Sequence, residues 1–302
     1  MTCTGTFYET IICSATGIME KWILSIAHCS NVQSSQFLNF RCGIPVSTDS
    51  QRINADAVIV SAGKGHRFKN GTKKQFLPLS GKPILAHTLG PFEASPLIRS
   101  IYLVVPPEDM DYCLREVIEK YQYGKISQIV PGGRTRQESA KNGIDAVPGD
   151  SDIISIHDGV RPFVTKEMIE DSVHGALRFE AVVIAVPVKD TIKMVQPDGT
   201  ILQTLERESL WQVQTPQTFR ASVIREAYLR AVRDGFVGTD DASLVERLGV
   251  KVHVLPGSYA NIKITTPEDL ILAHFIVQQT GSPSGGSSTL ITRTHGDRRK
   301  NE

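Results

Sequence analysis

Short runs of consecutive apolar residues alternate, through the middle of this chain, with longer stretches of helical period. The first run, Ala57-Val58-Ile59-Val60, ends in a glycine-rich loop, and others recur at 101–105, 126–130, 153–156 and 181–186. Runs this short and without polar alternation have the pattern of strands buried on both faces. Between them, helical spacing of apolar residues predicts helices at 83–94, 108–121, 136–146 and 166–179, each flanked by Pro, Gly or a capping residue. Strand and helix in alternation build a parallel sheet with helices on both faces. The expected fold class is therefore α/β, with a mostly parallel, Rossmann-like sheet.

The alternation breaks after residue 187. Residues 191–195 and 201–205 flank Gln196-Pro197-Asp198-Gly199, a strong turn signal, and predict a β-hairpin within a protruding arm at 188–211. A two-stranded arm with little of its own sheet to lie against is marginal alone. Helices at 221–234 and 240–248, a strand at 250–255, an extended stretch at 262–264 and a helix from 267 to 278 complete the pattern. The last helix starts well: Pro267 at its first position is followed by Glu268 and Asp269 at the positive end of its dipole.

The two ends read differently. Residues 1–52 have no sustained period and many Ser, Thr and Cys, which predicts an extension without a fold of its own, either a disordered leader or a misplaced start. Few acids and many hydroxyls make a transit peptide the alternative. From residue 280 the chain runs Gly-Ser-Pro-Ser-Gly-Gly-Ser-Ser and predicts a disordered tail. The folded domain is expected at 53–279. With 33 Lys+Arg against 32 Asp+Glu, the net charge of +1 supplies no global field for nucleic acid. No run approaches the roughly 18 apolar residues of a membrane helix. Four of the five cysteines, Cys3, Cys13, Cys29 and Cys42, fall in the leader at irregular spacing, which favours unpaired thiols over a disulfide framework or a zinc site. The expectation is a cytoplasmic protein, or a plastid one if the leader is a transit peptide.

Ligands of a parallel open sheet bind beyond the carboxyl ends of its strands. There the first strand opens into Ser61-Ala62-Gly63-Lys64-Gly65-His66-Arg67-Phe68, with Lys73-Lys74-Gln75-Phe76 close behind. Small residues let backbone amides approach phosphate, although a tight surface turn has the same composition; Arg67 and Lys74 tilt the reading toward a polyphosphate. Asp158 ends a strand buried on both faces, where a carboxylate needs cations or donors. It either helps to hold Mg²⁺, orients hydroxyls of a substrate, or caps the segment that follows.

Seven motifs in this order, Ala62-Gly63-x-Gly65-x-Arg67-Phe68, Lys74-Gln75-Phe76, Gly132-Gly133-x-x-Arg136-x-x-Ser139, His157-Asp158-x-x-Arg161-Pro162, Thr215-Pro216-Gln217, Thr239-Asp240-Asp241 and Asn261-Ile262-Lys263-Ile264-Thr265, resemble the 2-C-methyl-D-erythritol 4-phosphate cytidylyltransferase family over about 55–278. The chain has Gly159-Val160 where many members have Ala-Ala. The resemblance implies the nucleotidyltransferase sheet and an enzyme that joins CTP to methylerythritol phosphate, with release of pyrophosphate, in non-mevalonate isoprenoid synthesis. A relative acting on ribitol 5-phosphate, or a non-catalytic nucleotide-binding protein, is the alternative. It further implies catalytic roles for Arg67, Lys74 and Lys263, with Mg²⁺ on the triphosphate. CTP would be held by Ser61, Ala62, Gly63, Gly65, Lys74, Gly133, Arg136 and Ser139. The acceptor would meet Asp158, Arg161, Thr191, Arg207, Thr239 and Lys263, and the arm would join a homodimer in which Thr191 and Arg207 reach the neighbour's site.

Overall fold

A computed structural model describes residues 53–63 and 73–280. The expectations for 1–52 and for the tail beyond 280 lie outside the described residues, as do those for Gly65, Arg67 and the rest of 64–72. Eleven strands are described: β1 (Ala55–Val60), β2 (Pro78–Leu79), β3 (Lys82–Pro83), β4 (Ile98–Val105), β5 (Ile126–Pro131), β6 (Ile153–Asp158), β7 (Ala181–Pro187), β8 (Lys193–Val195), β9 (Ile201–Thr204), β10 (Trp211–Arg220) and β11 (His253–Pro256). The main helices are α1 (Ile84–Ala94), α2 (Arg136–Ala146), α3 (Lys166–Phe179), α4 (Ala221–Arg233), α5 (Asp241–Glu246) and α6 (Pro267–Thr280). The expected helix at 108–121 is a composite: a 3-10 turn at Pro107–Asp109, one short α turn, and a wider π-type stretch over Cys113–Glu119.

Seven strands form one sheet in the order β11-β7-β10-β6-β1-β4-β5. All neighbours pair in parallel except β10, which runs antiparallel to both β6 and β7. The period-2 alternation of strand side chains divides the core between two faces. Ala57, Ile59, Leu103 and Val105 pack with Leu89 and Phe92 of α1, Val117, and Ile169 and Val173 of α3. Val58, Val104, Ile154 and Ile156 pack with Ile144 of α2, Ile224 and Tyr228 of α4, and Val245 of α5. A third cluster brings Ala273 and Val277 of α6 against Leu79, Phe163 and Ile264. As expected, β8 and β9 pair as an antiparallel hairpin. Its Met194, Val195, Ile201 and Leu202 are exposed.

Strand β10 is the departure from the sequence reading, which carried the arm to 211 and assigned no element to 212–220. Its Gln214, Thr215, Gln217 and Thr218 are buried polar residues, so its pattern is not that of a central strand. Each is paired within the protein: Thr218 Oγ1 with Ser155 and Ser172, Gln217 with Asp240 and the Ala242 amide, Thr215 with His157, and Gln214 with the Ser258 carbonyl. Pro216 cannot donate to a ladder, and it sits where the register with β7 shifts between Val213 and Gln217. Two smaller differences concern the carboxyl-terminal part. The strand expected at 250–255 is displaced to His253–Pro256, and 262–264 is a loop in which the Ile264 amide donates to the Val160 carbonyl at 2.9 Å.

Helix α2 lies close to the sheet because Gly143 faces it. A Cβ there would stand 2.3 Å from Val58 Cγ1 and 2.8 Å from Val104 Cγ2. In an exposed helix, Gly to Ala gains about 1 kcal/mol of propensity; against a packed sheet the clash outweighs it. Gly143→Ala is therefore expected to lower stability by about 1–3 kcal/mol in urea unfolding. A stabilised variant would show that α2 can move away from the sheet at little cost.

Candidate active site

The carboxyl ends of β1, β4, β5 and β6 open on one side of the sheet. There the Ser61 amide donates to the Val104 carbonyl at 2.7 Å and the Gly132 amide to the Val105 carbonyl at 2.8 Å, which holds the loops after β1 and β5 beside β4. The contact admits no side chain at Gly132, where a Cβ would come 2.2 Å from that of Ala62. Helix α2 begins at this point. Thr135 caps it by accepting from the Glu138 amide, and Ser139 Oγ donates to the Thr135 carbonyl while accepting from the Gly133 amide. The positive end of α2 and the loops after β1 and β5 thus meet at a glycine-lined floor, an arrangement suited to an anion.

Ser61, Ala62, Gly63, Lys74, Gly133, Arg136 and Ser139 all line this cleft, together with Gln75, Asp158 and Lys263. These are every described member of the expected nucleotide and catalytic sets. Asp158 is buried at the tip of β6, and three cations converge on it. Lys263 Nζ lies 2.7 Å from Oδ2, Arg136 Nε 3.1 Å from Oδ1, and Arg161 Nε 3.8 Å from Oδ2. Burial alone would raise the Asp158 pKa, but attraction to Arg136 and Lys263, the Lys263 hydrogen bond and Arg161 hold it below the ordinary carboxylate range. Asp158 is thus the counter-ion that keeps cations gathered in the cleft.

Each cation has its own support. Arg136 also donates to Asp241 Oδ2 at 2.8 Å, and Tyr228 donates to the other oxygen of that fully buried carboxylate. Burial opposes the Arg136 charge, yet Asp241 and Asp158 raise its pKa further above an already high value. Asp241 is presented by α5, whose Asp240 forms a reciprocal cap with Ser243, and Gln217 of β10 bonds both Asp240 and the Ala242 amide. Arg161 donates to the Asn261 carbonyl at 2.8 Å, while Asn261 Nδ2 donates to the Thr215 carbonyl at 3.0 Å. The loop that carries Lys263 is thereby fixed to β10. Asp241, Tyr228, Gln217, Asn261 and Thr215 had no role in the sequence reading, although four of them stand in its motifs; nothing in the sequence says which carboxylate meets which cation.

The remaining acceptor-side residues do not line the cleft. Arg161 is nearly buried behind Asp158, Thr239 is exposed just before α5, and Thr191 and Arg207 are exposed on the arm, where Arg207 donates to the Lys189 carbonyl. Gly159 has a steric reason to be glycine, since a Cβ there would come 2.7 Å from both Cβ and Oγ of Ser61.

Behind Asp158 runs a chain of neutral hydrogen bonds. The Asp158 amide donates to Thr215 Oγ1 at 3.1 Å, and Thr215 Oγ1 lies 3.0 Å from His157 Nδ1. His157 Nε2 faces the Arg161 carbonyl at 3.3 Å. A carbonyl only accepts, so the geometry assigns the proton to Nε2 and makes Nδ1 the acceptor from Thr215. Burial pushes the His157 pKa down to about 3, against the partly compensating charge of Asp158. An unfolded chain protonates this imidazole near pH 6.5. Its contribution to stability is therefore complete above about pH 6.5 and is lost as pH falls toward 3, by up to about 1.4 kcal/mol per pH unit. The depressed Asp158 acts in the same direction only below about pH 4. Urea unfolding at pH 7, 6 and 5 is expected to show a shallower loss in His157→Asn than in the unmodified protein; equal slopes would mean that His157 is not held neutral.

Comparison with known proteins agrees with this geometry. The family model for 2-C-methyl-D-erythritol 4-phosphate cytidylyltransferase matches residues 55–279. Curated proteins of that name are 49% identical over 227 residues in Syntrophus aciditrophicus (74% of this chain, 97% of that one) and 44% identical over 227 residues in Caldanaerobacter subterraneus (75% of this chain, 100% of that one). Among solved structures, the 4-diphosphocytidyl-2C-methyl-D-erythritol synthase of Anaerococcus prevotii superposes with a TM-score of 0.68 at 33% identity, covering 75% of this chain and 97% of that one. The 2-C-methyl-D-erythritol 4-phosphate cytidylyltransferase of Thermus thermophilus does so with a TM-score of 0.62 at 29% identity, covering 75% and 100%. A glycine-lined cleft with converging cations at the carboxyl ends of the strands and relatives matched along their full length lead to one conclusion: this chain belongs to the 2-C-methyl-D-erythritol 4-phosphate cytidylyltransferase family.

Proposed function

We propose that the protein transfers the CMP moiety of CTP to 2-C-methyl-D-erythritol 4-phosphate, forming CDP-methylerythritol and pyrophosphate. The observation that carries the reading is the cleft itself. Lys74, Arg136 and Lys263 line it with the positive end of α2 and a glycine-lined floor, in a chain matched to that family over 55–279.

The chemistry follows from charge. An oxygen of the acceptor's phosphate monoester attacks the α-phosphorus of CTP, the bond to the β-phosphate oxygen breaks, and pyrophosphate leaves with the electron pair. Negative charge grows on the nonbridging oxygens and on the leaving group, so catalysis consists of positioning and countercharge. An ammonium about 4 Å from such an oxygen is worth on the order of 4 kcal/mol at an effective dielectric near 20. In this reading Lys263 and Lys74 supply that charge with Arg67, and Gly133, Ser139 and the loop after β1 hold the nucleotide. Asp158 orients the cations and meets acceptor hydroxyls, with Arg161 behind it.

Among the described residues no group of three or more His, Cys, Asp or Glu side chains could cage a metal, and Asp158 is the carboxylate that lines the cleft. This set fits Mg²⁺ carried on triphosphate oxygens with at most one protein ligand, the usual manner of that ion. When bound, it would supply further countercharge to the phosphates.

The exposed apolar residues of the β8–β9 hairpin favour an arm that is covered by a second copy, and a homodimer is part of the proposal. Among the described residues no helix is long and apolar enough to cross a membrane. A cytoplasmic location suits an enzyme whose substrates are charged phosphates.

Pyrophosphate release across CTP, UTP, ATP and GTP, with methylerythritol phosphate and ribitol 5-phosphate as acceptors, tests the reaction. Turnover is expected only with CTP, and fastest with methylerythritol phosphate. A preference for ribitol 5-phosphate would move the assignment to the sister activity, and binding without turnover would make the protein a non-catalytic relative.

Shared sites have a separate test. Lys263→Ala and Arg207→Ala are each expected to lose nearly all turnover while remaining folded, Arg207→Ala with an unchanged unfolding transition and Lys263→Ala with a lower one, since it removes a partner of Asp158. Mixed after subunit exchange, they should recover part of it, because some dimers then hold one site with both residues intact. No recovery after verified exchange would place Arg207 outside the neighbour's site.

A further inference from the structure

Two adjacent lysines, Lys73 and Lys74, follow the glycine-rich loop, and by composition either could serve a phosphate. The fold separates them. Lys74 lines the cleft, whereas Lys73 Nζ lies 2.5 Å from Glu108 Oε1 and 2.7 Å from Asp109 Oδ2. Both carboxylates belong to the 3-10 turn at Pro107–Asp109, immediately after β4. Burial disfavours the charge on Lys73, but the hydrogen bonds to Asp109 and Glu108 more than compensate and raise its pKa.

Lys73 is also the residue from which the turn carrying Lys74 is built. Its carbonyl accepts from the Phe76 amide at 3.0 Å, and the Lys74 carbonyl accepts from the Leu77 amide at 3.2 Å, closing the 3-10 turn Lys74–Phe76. The other side chains of the turn are held as well. Phe76 packs edge-on against Tyr112 with ring centroids 4.8 Å apart, and Gln75 Nε2 reaches the Gly63 carbonyl at 3.5 Å. A 3-10 turn this short has little stability alone, so its orientation depends on such tethers.

From this geometry we infer that Lys73 is a positioning residue: its double ion pair with Glu108 and Asp109 anchors the Lys74 turn to the end of β4 and offsets one of their two negative charges. The inference rests on the reading of the cleft as a CTP site. Arginine can make the same two contacts, and an exchange of charges can remake one of them, whereas alanine makes neither.

The test compares Lys73→Ala, Lys73→Arg and the exchanged variant Lys73→Asp/Asp109→Lys, with Lys74 left intact. Steady-state kinetics are read beside calorimetric titration of CTP and thermal unfolding. Lys73→Ala is expected to weaken CTP about three- to tenfold in KM and Kd, the range for loss of two partly exposed ion pairs, with kcat less affected and the melting temperature nearly unchanged. Lys73→Arg should stay within about twofold of the unmodified protein, and the exchange should recover part of the loss. Unchanged CTP binding in Lys73→Ala, an equal loss in Lys73→Arg, or a loss that merely follows a fall in melting temperature would overturn the inference. If the unmodified protein binds CTP but turns over neither acceptor, the functional reading fails while the titrations still decide the role of Lys73.

Discussion

The buried carboxylate of Asp158 is the interaction on which the rest of the site depends. A cleft meant for phosphates must gather several cations, and like charges held together in a half-buried place repel one another. Asp158 resolves this at the tip of β6 by meeting Lys263, Arg136 and Arg161, which arrive from three different segments. Removing one partner of such a buried cluster leaves uncompensated charge, a loss of about 3–5 kcal/mol in comparable cases. The cluster is therefore both a structural joint and the source of the cleft's positive character.

The polar interior of the sheet serves that joint. Strand β10 runs against its parallel neighbours and places Thr215, Gln217 and the partners of Asn261 beside β6 in the same sheet. Through them the Lys263 loop and α5 are tied to the same strand, and α5 in turn supplies Asp241 to Arg136. A purely apolar strand at this position would pack well but could not fix either loop. Polar residues buried in a sheet are costly unless paired, and here Gln214, Thr215, Gln217 and Thr218 are each paired within the protein.

The two ends of the cleft's chemistry are held by different means. Lys263 and Arg136 share a buried counter-ion, where the low dielectric makes each interaction strong and each loss severe. The Lys74 turn is held at a more exposed place by the Lys73 ion pairs and by Phe76, where individual contacts are weak and their number matters.

What the sequence determined by itself is the part of the protein governed by local pattern. Short apolar runs placed β1, β4, β5, β6 and β7, helical spacing placed α2 and α3 to the residue, and Pro197-Asp198-Gly199 placed the turn of the arm. The resemblance of its motifs to the cytidylyltransferase family marked Gly63, Lys74, Gly133, Arg136, Ser139, Asp158 and Lys263, and these residues share one cleft because the loops that carry them follow the carboxyl ends of neighbouring strands. Strand β10 stayed hidden because its polar residues and Pro216 break every strand signal, and only their partners on β6, α3 and α5 make burial affordable. The pairing of Arg136 with Asp241, of Asn261 with Thr215 and of Lys73 with Glu108 and Asp109 was decided by the tertiary structure alone. Such contacts join residues up to 105 positions apart, and a charge in a sequence carries no mark of which opposite charge the folded chain will set beside it.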